Sequence, residues 1–204
     1  AGAMVPLRYL NVSPGLILVL FLGSLLYVVF NAPRTGSGDQ VASTKRLVAV
    51  GAMSFSQGLL MRELILFILY FNPEILTTAL FGTIAIFTCF SLGSLFMASR
   101  LALYLGGLAF TLSFYVSLVR LTNIFVRSRF ASDFSDLAML VAFCGFVIFD
   151  TQITLRDFDN GSRDYLTHAV MLYGDVVNIF LKMTHILYKK DNKKDKNSES
   201  RAMF

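Results

Sequence analysis

The sequence predicts an all-α fold, a polytopic bundle of membrane helices, and three observations predict it. Of 204 residues, 55% are hydrophobic and only 15% carry charge, whereas ordinary soluble domains carry roughly a quarter. The mean hydropathy is +0.65. The apolar residues also gather into six runs, roughly 14–31, 47–71, 75–98, 101–119, 137–155 and 165–188, and a span needs about 20 mostly apolar residues to cross a hydrocarbon core about 30 Å thick.

Each run is bounded by a turn or charge signal. The first stops at Asn31-Ala32-Pro33-Arg34, the second at Asn72-Pro73-Glu74 and the third at Arg100. Such short connections make sequence neighbours pack as antiparallel helices. The fifth run is a special case, because its uninterrupted apolar part, 137–149, covers only about 20 Å of helix. It reaches spanning length only by continuing through Asp150 to about Leu155, which puts Asp150 inside the bilayer. In the sixth run His168, Asp175, Asn178, Lys182 and His185 recur at helical spacing and form one polar stripe on an apolar helix. A stripe of that kind belongs in a bundle centre or beside water, since lipid penalises each charge by several kcal/mol.

The net charge of +5 does not mark a nucleic-acid binder. Its excess sits in Lys189, Lys190, Lys193, Lys194 and Lys196, a basic tail beside a membrane segment that suits a cytosolic location and contact with lipid headgroups. The chain therefore reads as a transmembrane helical domain, 1–188, followed by a basic, disordered tail, 189–204. A sixth segment that crossed completely would carry this tail to the opposite side, against the positive-inside tendency, a conflict that a re-entrant or partly inserted segment removes. Cys89 and Cys144 lie in apolar runs without the second ligand that zinc or redox motifs require, and are read as packing residues. Asp157, Asp159 and Asp164 flank the turn signal Asn160-Gly161 and read as solvated turn or cap residues.

Several stretches resemble the Bax inhibitor (transmembrane Bax-inhibitor-motif) family: Asn72-Pro73-Glu74-Ile75-Leu76, FGTIAIFTCFSLGSL from Phe81, Leu105-Gly106-Gly107, CGFVIFDTQ from Cys144, Asp164-Tyr165 with His168, and Asp175 with Phe180. Two positions depart from the family pattern, Arg62-Glu63 where Gly-Pro is usual and Ile84 after Thr83 where Ala is usual. The resemblance implies six helices around a central carboxy-terminal one, with the family's first hydrophobic segment absent from this chain. It implies a pH-controlled calcium leak of the endoplasmic reticulum membrane that suppresses apoptosis and stress-induced death, not an enzyme. The family's two functional aspartates correspond to Asp150 and Asp175.

Two carboxylates in a low-dielectric space tend to share a proton and titrate as one unit, which makes a pH switch. Asp150 and Asp175 are thus the expected gating residues and transient calcium contacts; Lys182, Arg62, His168 and Asn178 are secondary candidates. Calcium is expected as the transported ion, with no cofactor and no tight metal site, because two carboxylates are too few for a cage. Partners expected are membrane lipids, calcium and cell-death regulatory membrane proteins, without nucleic acid. Two other functions stand beside this one: a non-conducting adaptor that restrains cell death by binding partners through its helices and tail, and an intramembrane aspartyl protease, whose chemistry also needs two membrane aspartates. The second lacks any Pro-Ala-Leu, and all four prolines are remote from both aspartates.

Overall fold

The computed structural model describes residues 14–31, 44–126, 128–161 and 164–202. Among them all regular structure is helical: α1 (Pro14–Phe30), α2 (Thr44–Phe71), α3 (Pro73–Leu95), α4 (Ser99–Val126), α5 (Arg129–Asp159) and α6 (Tyr165–Ala202). By length and composition α2 to α6 can each cross a membrane, whereas apolar α1, at 17 residues, is shorter. This fits a multi-pass membrane protein.

The distribution of side chains agrees with a lipid surrounding. Phe81, Phe110, Phe114, Ile124 and Phe125 are exposed, a surface that would drive aggregation in water. Much of the interior is instead small: Ala79, Ala102, Ala109, Ala142, Ser94 and Ser135 are buried. Lipid supplies little hydrophobic drive between helices, so close backbone approach by small residues takes over.

Helix ends differ from the apolar runs where polar residues find partners. Helix α3 begins at Pro73, whose missing N–H costs nothing in a first turn. It tightens at its end, where Phe96 N bonds Gly93 O at 3.3 Å and Met97 N bonds Ser94 O at 3.1 Å. Helix α4 runs on past residue 119 through Arg120 and Asn123, and Asn123 Oδ1 accepts from Ser128 N at 2.7 Å. Helix α5 starts at Arg129, eight residues before its apolar run, with the Ser128 hydroxyl accepting from Ala131 N at 3.4 Å. It then continues unbroken past Asp150 to Asp159. It stops at Asn160-Gly161, where Gly161 takes a φ of 80° that favours glycine.

Helix α6 is one continuous helix from Tyr165 to Ala202. The lysine-rich segment from Lys189 extends it, lysine being a good helix former, and Lys189 and Lys193 reach Asp133 of α5. Of the cysteines, Cys144 is buried and Cys89 exposed, so only the first packs internally.

The chain divides into two compact units, Ala1–Pro73 with Asp157–Met171, and Glu74–Arg156 with Leu172–Phe204. In the first, α1 packs on α2. In the second, α4 and α5 approach closely at Gly145, where an added Cβ would stand 2.9 Å from the Ala109 Cβ. Helix α6 meets α3 there at Gly82, where an added Cβ would stand 2.7 Å from the Met183 methyl.

Candidate functional site

The turn of α5 that carries Asp150 is anchored on both sides by α3. At the tightened end of α3, Ser94 O keeps its bond from Met97 N and takes a second donor, Gln152 Nε2, which also donates to Met97 O at 3.3 Å. Ser94 Oγ donates back to Ile148 O at 3.2 Å, and the hydroxyls of Ser91 and Thr151 lie 3.3 Å apart. Residues 148, 151 and 152 are therefore tied to α3, and Asp150 between them is held in rotation and depth.

Asp175 lies on the buried face of α6, 6% exposed, and Asp150 is half-buried. Their carboxyl groups stand close enough for a side-chain hydrogen bond, so one must hold a proton when the bond is made. Asp175 Oδ2 is buried without a hydrogen-bond partner among the described residues.

The secondary candidates scatter. Lys182 is half-buried, its Nζ 3.8 Å from Asp136 Oδ1 of α5, so its partner is not in the pair. Asn178 is exposed, turned off the buried face despite its helical spacing from Asp175. Arg62 bonds its neighbour Glu63 at 3.0 Å within α2, so its partner is not in the pair either. His168 Nε2 lies 3.5 Å from Asp157 Oδ2. Among the described residues no three or more His, Cys, Asp or Glu gather as a metal group.

Asp164 is a cap, as its position suggested, but it is not solvated. It precedes α6 and accepts from the Thr167 hydroxyl at 2.6 Å and from both ends of the Arg46 guanidinium at 2.9 and 3.2 Å. Arg46 Nη2 also donates to Thr167 Oγ1 at 2.9 Å, and the ion pair is 5% and 12% exposed. Burial pushes the Asp164 carboxyl up, but hydrogen bonds from Arg46 and Thr167 outweigh it and hold the group below its usual range. A depressed carboxylate stabilises the fold above its unfolded value of about 3.9 and loses that contribution as pH falls through the folded value. Asp164→Asn is accordingly expected to cost about 3–5 kcal/mol at neutral pH, the cost of breaking a buried pair. In detergent melts the deficit against the parent should shrink as pH falls below the unfolded value of about 3.9 and through the lower folded one. Equal melting temperatures at neutral pH would show that the pair is not a stabilising contact.

Two groups of functional interest escaped the sequence. One is Gln152, visible within FDTQ but without a signal for what it bonds. The other is Asp136, 3% exposed, which engages Arg120, Lys182, His185 and Lys189. Its only signal was the spacing of Lys182, His185 and Lys189 along one helix face.

A family model described as "Inhibitor of apoptosis-promoting Bax1" matches residues 1–192. The chain is 34% identical over 198 residues to Bax inhibitor 1 of Sus scrofa, covering 96% of this chain and 82% of that protein. It is 34% identical over 200 residues to Bax inhibitor 1 of Homo sapiens, at the same coverages. It is 33% identical over 186 residues to the Bax inhibitor 1 homolog of Dictyostelium discoideum, covering 87% and 72%. A match spanning almost the whole chain, over an all-helical fold with five spanning-length helices, shows that the chain belongs to the Bax inhibitor family.

Proposed function

We propose that the protein is a pH-regulated calcium leak of the endoplasmic reticulum membrane that suppresses apoptosis and stress-induced cell death, gated by Asp150 and Asp175. The observation that carries this reading is the meeting of two carboxyls from α5 and α6, within hydrogen-bonding reach, in helices long and apolar enough to cross a membrane. With one proton shared, the pair ties α5 to α6. Loss of that proton leaves two like charges together in a low dielectric, which opposes the tie. Calcium competes for the same oxygens, and two carboxylates offer far fewer than the six to eight ligands of a tight site, so its contact is transient. The suppression of apoptosis rests on the names of the relatives, the reticulum location on the family resemblance, and a cytosolic basic end on the positive-inside tendency.

Purified protein in liposomes loaded with calcium tests the reading directly. Calcium release that depends on pH supports it. Folded, inserted protein that releases none would instead favour an adaptor that restrains cell death through its partners.

A further inference from the structure

In a protein that leaks calcium past Asp150 and Asp175, the other charges on the same two helices bear on the passing ion. Asp136 is a single buried carboxylate, yet three fixed cations converge on it. Arg120 of α4 hydrogen-bonds Oδ1, Lys182 Nζ of α6 lies 3.8 Å from Oδ1, and Lys189 Nζ lies 3.2 Å from Oδ2. His185 Nδ1 lies 3.3 Å from Oδ1. One cation would neutralise Asp136, so two positive charges remain in excess. Lys189 Nζ also lies 2.6 Å from Asp133 Oδ1, and Lys193 pairs with the same carboxylate, so Arg120, Lys182, Lys189 and Lys193 set against Asp133 and Asp136 leave the same excess of two.

The position of this excess relates it to the path. Lys182 is seven residues from Asp175 along α6, about 10 Å, and Asp136 is fourteen from Asp150 along α5, about 21 Å. Both intervals return nearly to the same helix face. Because Asp136 meets α6 as Asp150 does, the two shifts lead toward one end of the α5–α6 contact. Small cavities open beside the cluster there, of about 200 Å³ lined by Arg120, Ser132, Asp136 and His185, and about 190 Å³ lined by Asp133, Lys189 and Lys193.

We propose, resting on the calcium-leak reading, that Arg120, Lys182 and Lys189 form a cationic collar around Asp136 that limits calcium passage at this end of the Asp150–Asp175 path, Asp136 being the charge that partly relieves it. A divalent ion feels such a collar twice as strongly as a monovalent one. The collar therefore sets rate and ion preference, and the aspartate pair sets pH dependence.

The full chain in liposomes of neutral lipid, with calcium and potassium fluxes measured in parallel, tests the collar. Lys182→Met keeps the stem and removes one charge, so calcium flux should rise roughly tenfold and potassium flux only about threefold. Lys182→Arg should stay near the parent. Asp136→Asn should lower calcium flux, and added salt should shrink both differences. Should Asp136→Asn not fold, the Lys182 pair alone decides, since a purely structural lysine would not change the calcium-to-potassium ratio. Lys182→Met with parental calcium flux, or with both ions altered equally, overturns the collar alone when the parent conducts and Asp175→Asn removes its pH dependence. A parent that passes no calcium overturns the leak reading and the collar together.

Discussion

Replacing Asp175 with Asn is expected to leave an inserted, folded protein whose calcium flux no longer follows pH. The substitution keeps the shape of the side chain and its capacity to hydrogen-bond Asp150, but removes the titrating group from a position only 6% exposed. A titrating carboxyl changes its ionised-to-protonated ratio roughly tenfold per pH unit, so the loss should be plain across acidic to neutral pH. Asp150→Asn should behave alike, because the two carboxyls are close enough to hydrogen-bond and groups so coupled titrate as a pair. The double variant should then add little to either single one. Asp175→Arg should abolish calcium passage by fixing a like charge in the path. If either Asn variant titrated as the parent does in liposome flux measurements, or the two losses simply added, the paired switch would be wrong.

How far the sequence carried depends on which interactions are local. The break at Asn72-Pro73 was legible because proline chemistry acts within a few residues, and the passage of α5 through Asp150 was legible because span length is arithmetic. Both aspartates could be singled out one at a time from the cost of an intramembrane charge. Their neighbours could not. Asp133 and Asp136 precede the apolar run that begins at 137, and partners 60 and 53 residues away in the chain, Lys193 and Lys189, meet them in the opening turns of α5. Helical spacing placed Asn178 on the stripe, but spacing fixes only an approximate face, and the packing of α6 leaves Asn178 exposed. Arg46 with Asp164 and Gln152 with the carbonyls of α3 have the same character: the residue types are visible in the sequence, the pairing only in the fold.

The adjacent glycines of Leu105-Gly106-Gly107 should respond in opposite ways to alanine. At Gly106 an added Cβ would stand 2.2 Å from Phe149 Cδ2 and 2.6 Å from Cγ, where the ring is held close to its own backbone and has little room to yield. At Gly107 nothing lies within 4 Å. Gly106→Ala is therefore expected to cost about 3 kcal/mol, the upper end of ordinary overpacking, whereas Gly107→Ala should gain up to about 1 kcal/mol from helix propensity. Detergent melting temperatures of the two variants against the parent measure both. The functional consequence comes from the order of residues in α5. Phe149 immediately precedes Asp150, so displacing the ring of Phe149 strains the turn that presents Asp150 to Asp175, and pH-dependent flux should suffer in Gly106→Ala but not in Gly107→Ala. Gly106→Ala combined with Phe149→Leu, which makes room for the methyl group, should recover part of the stability, a coupling that a double-mutant cycle resolves. Equal melting temperatures for the two single variants would mean that α4 and α5 do not approach as closely at Gly106 as the structure has them.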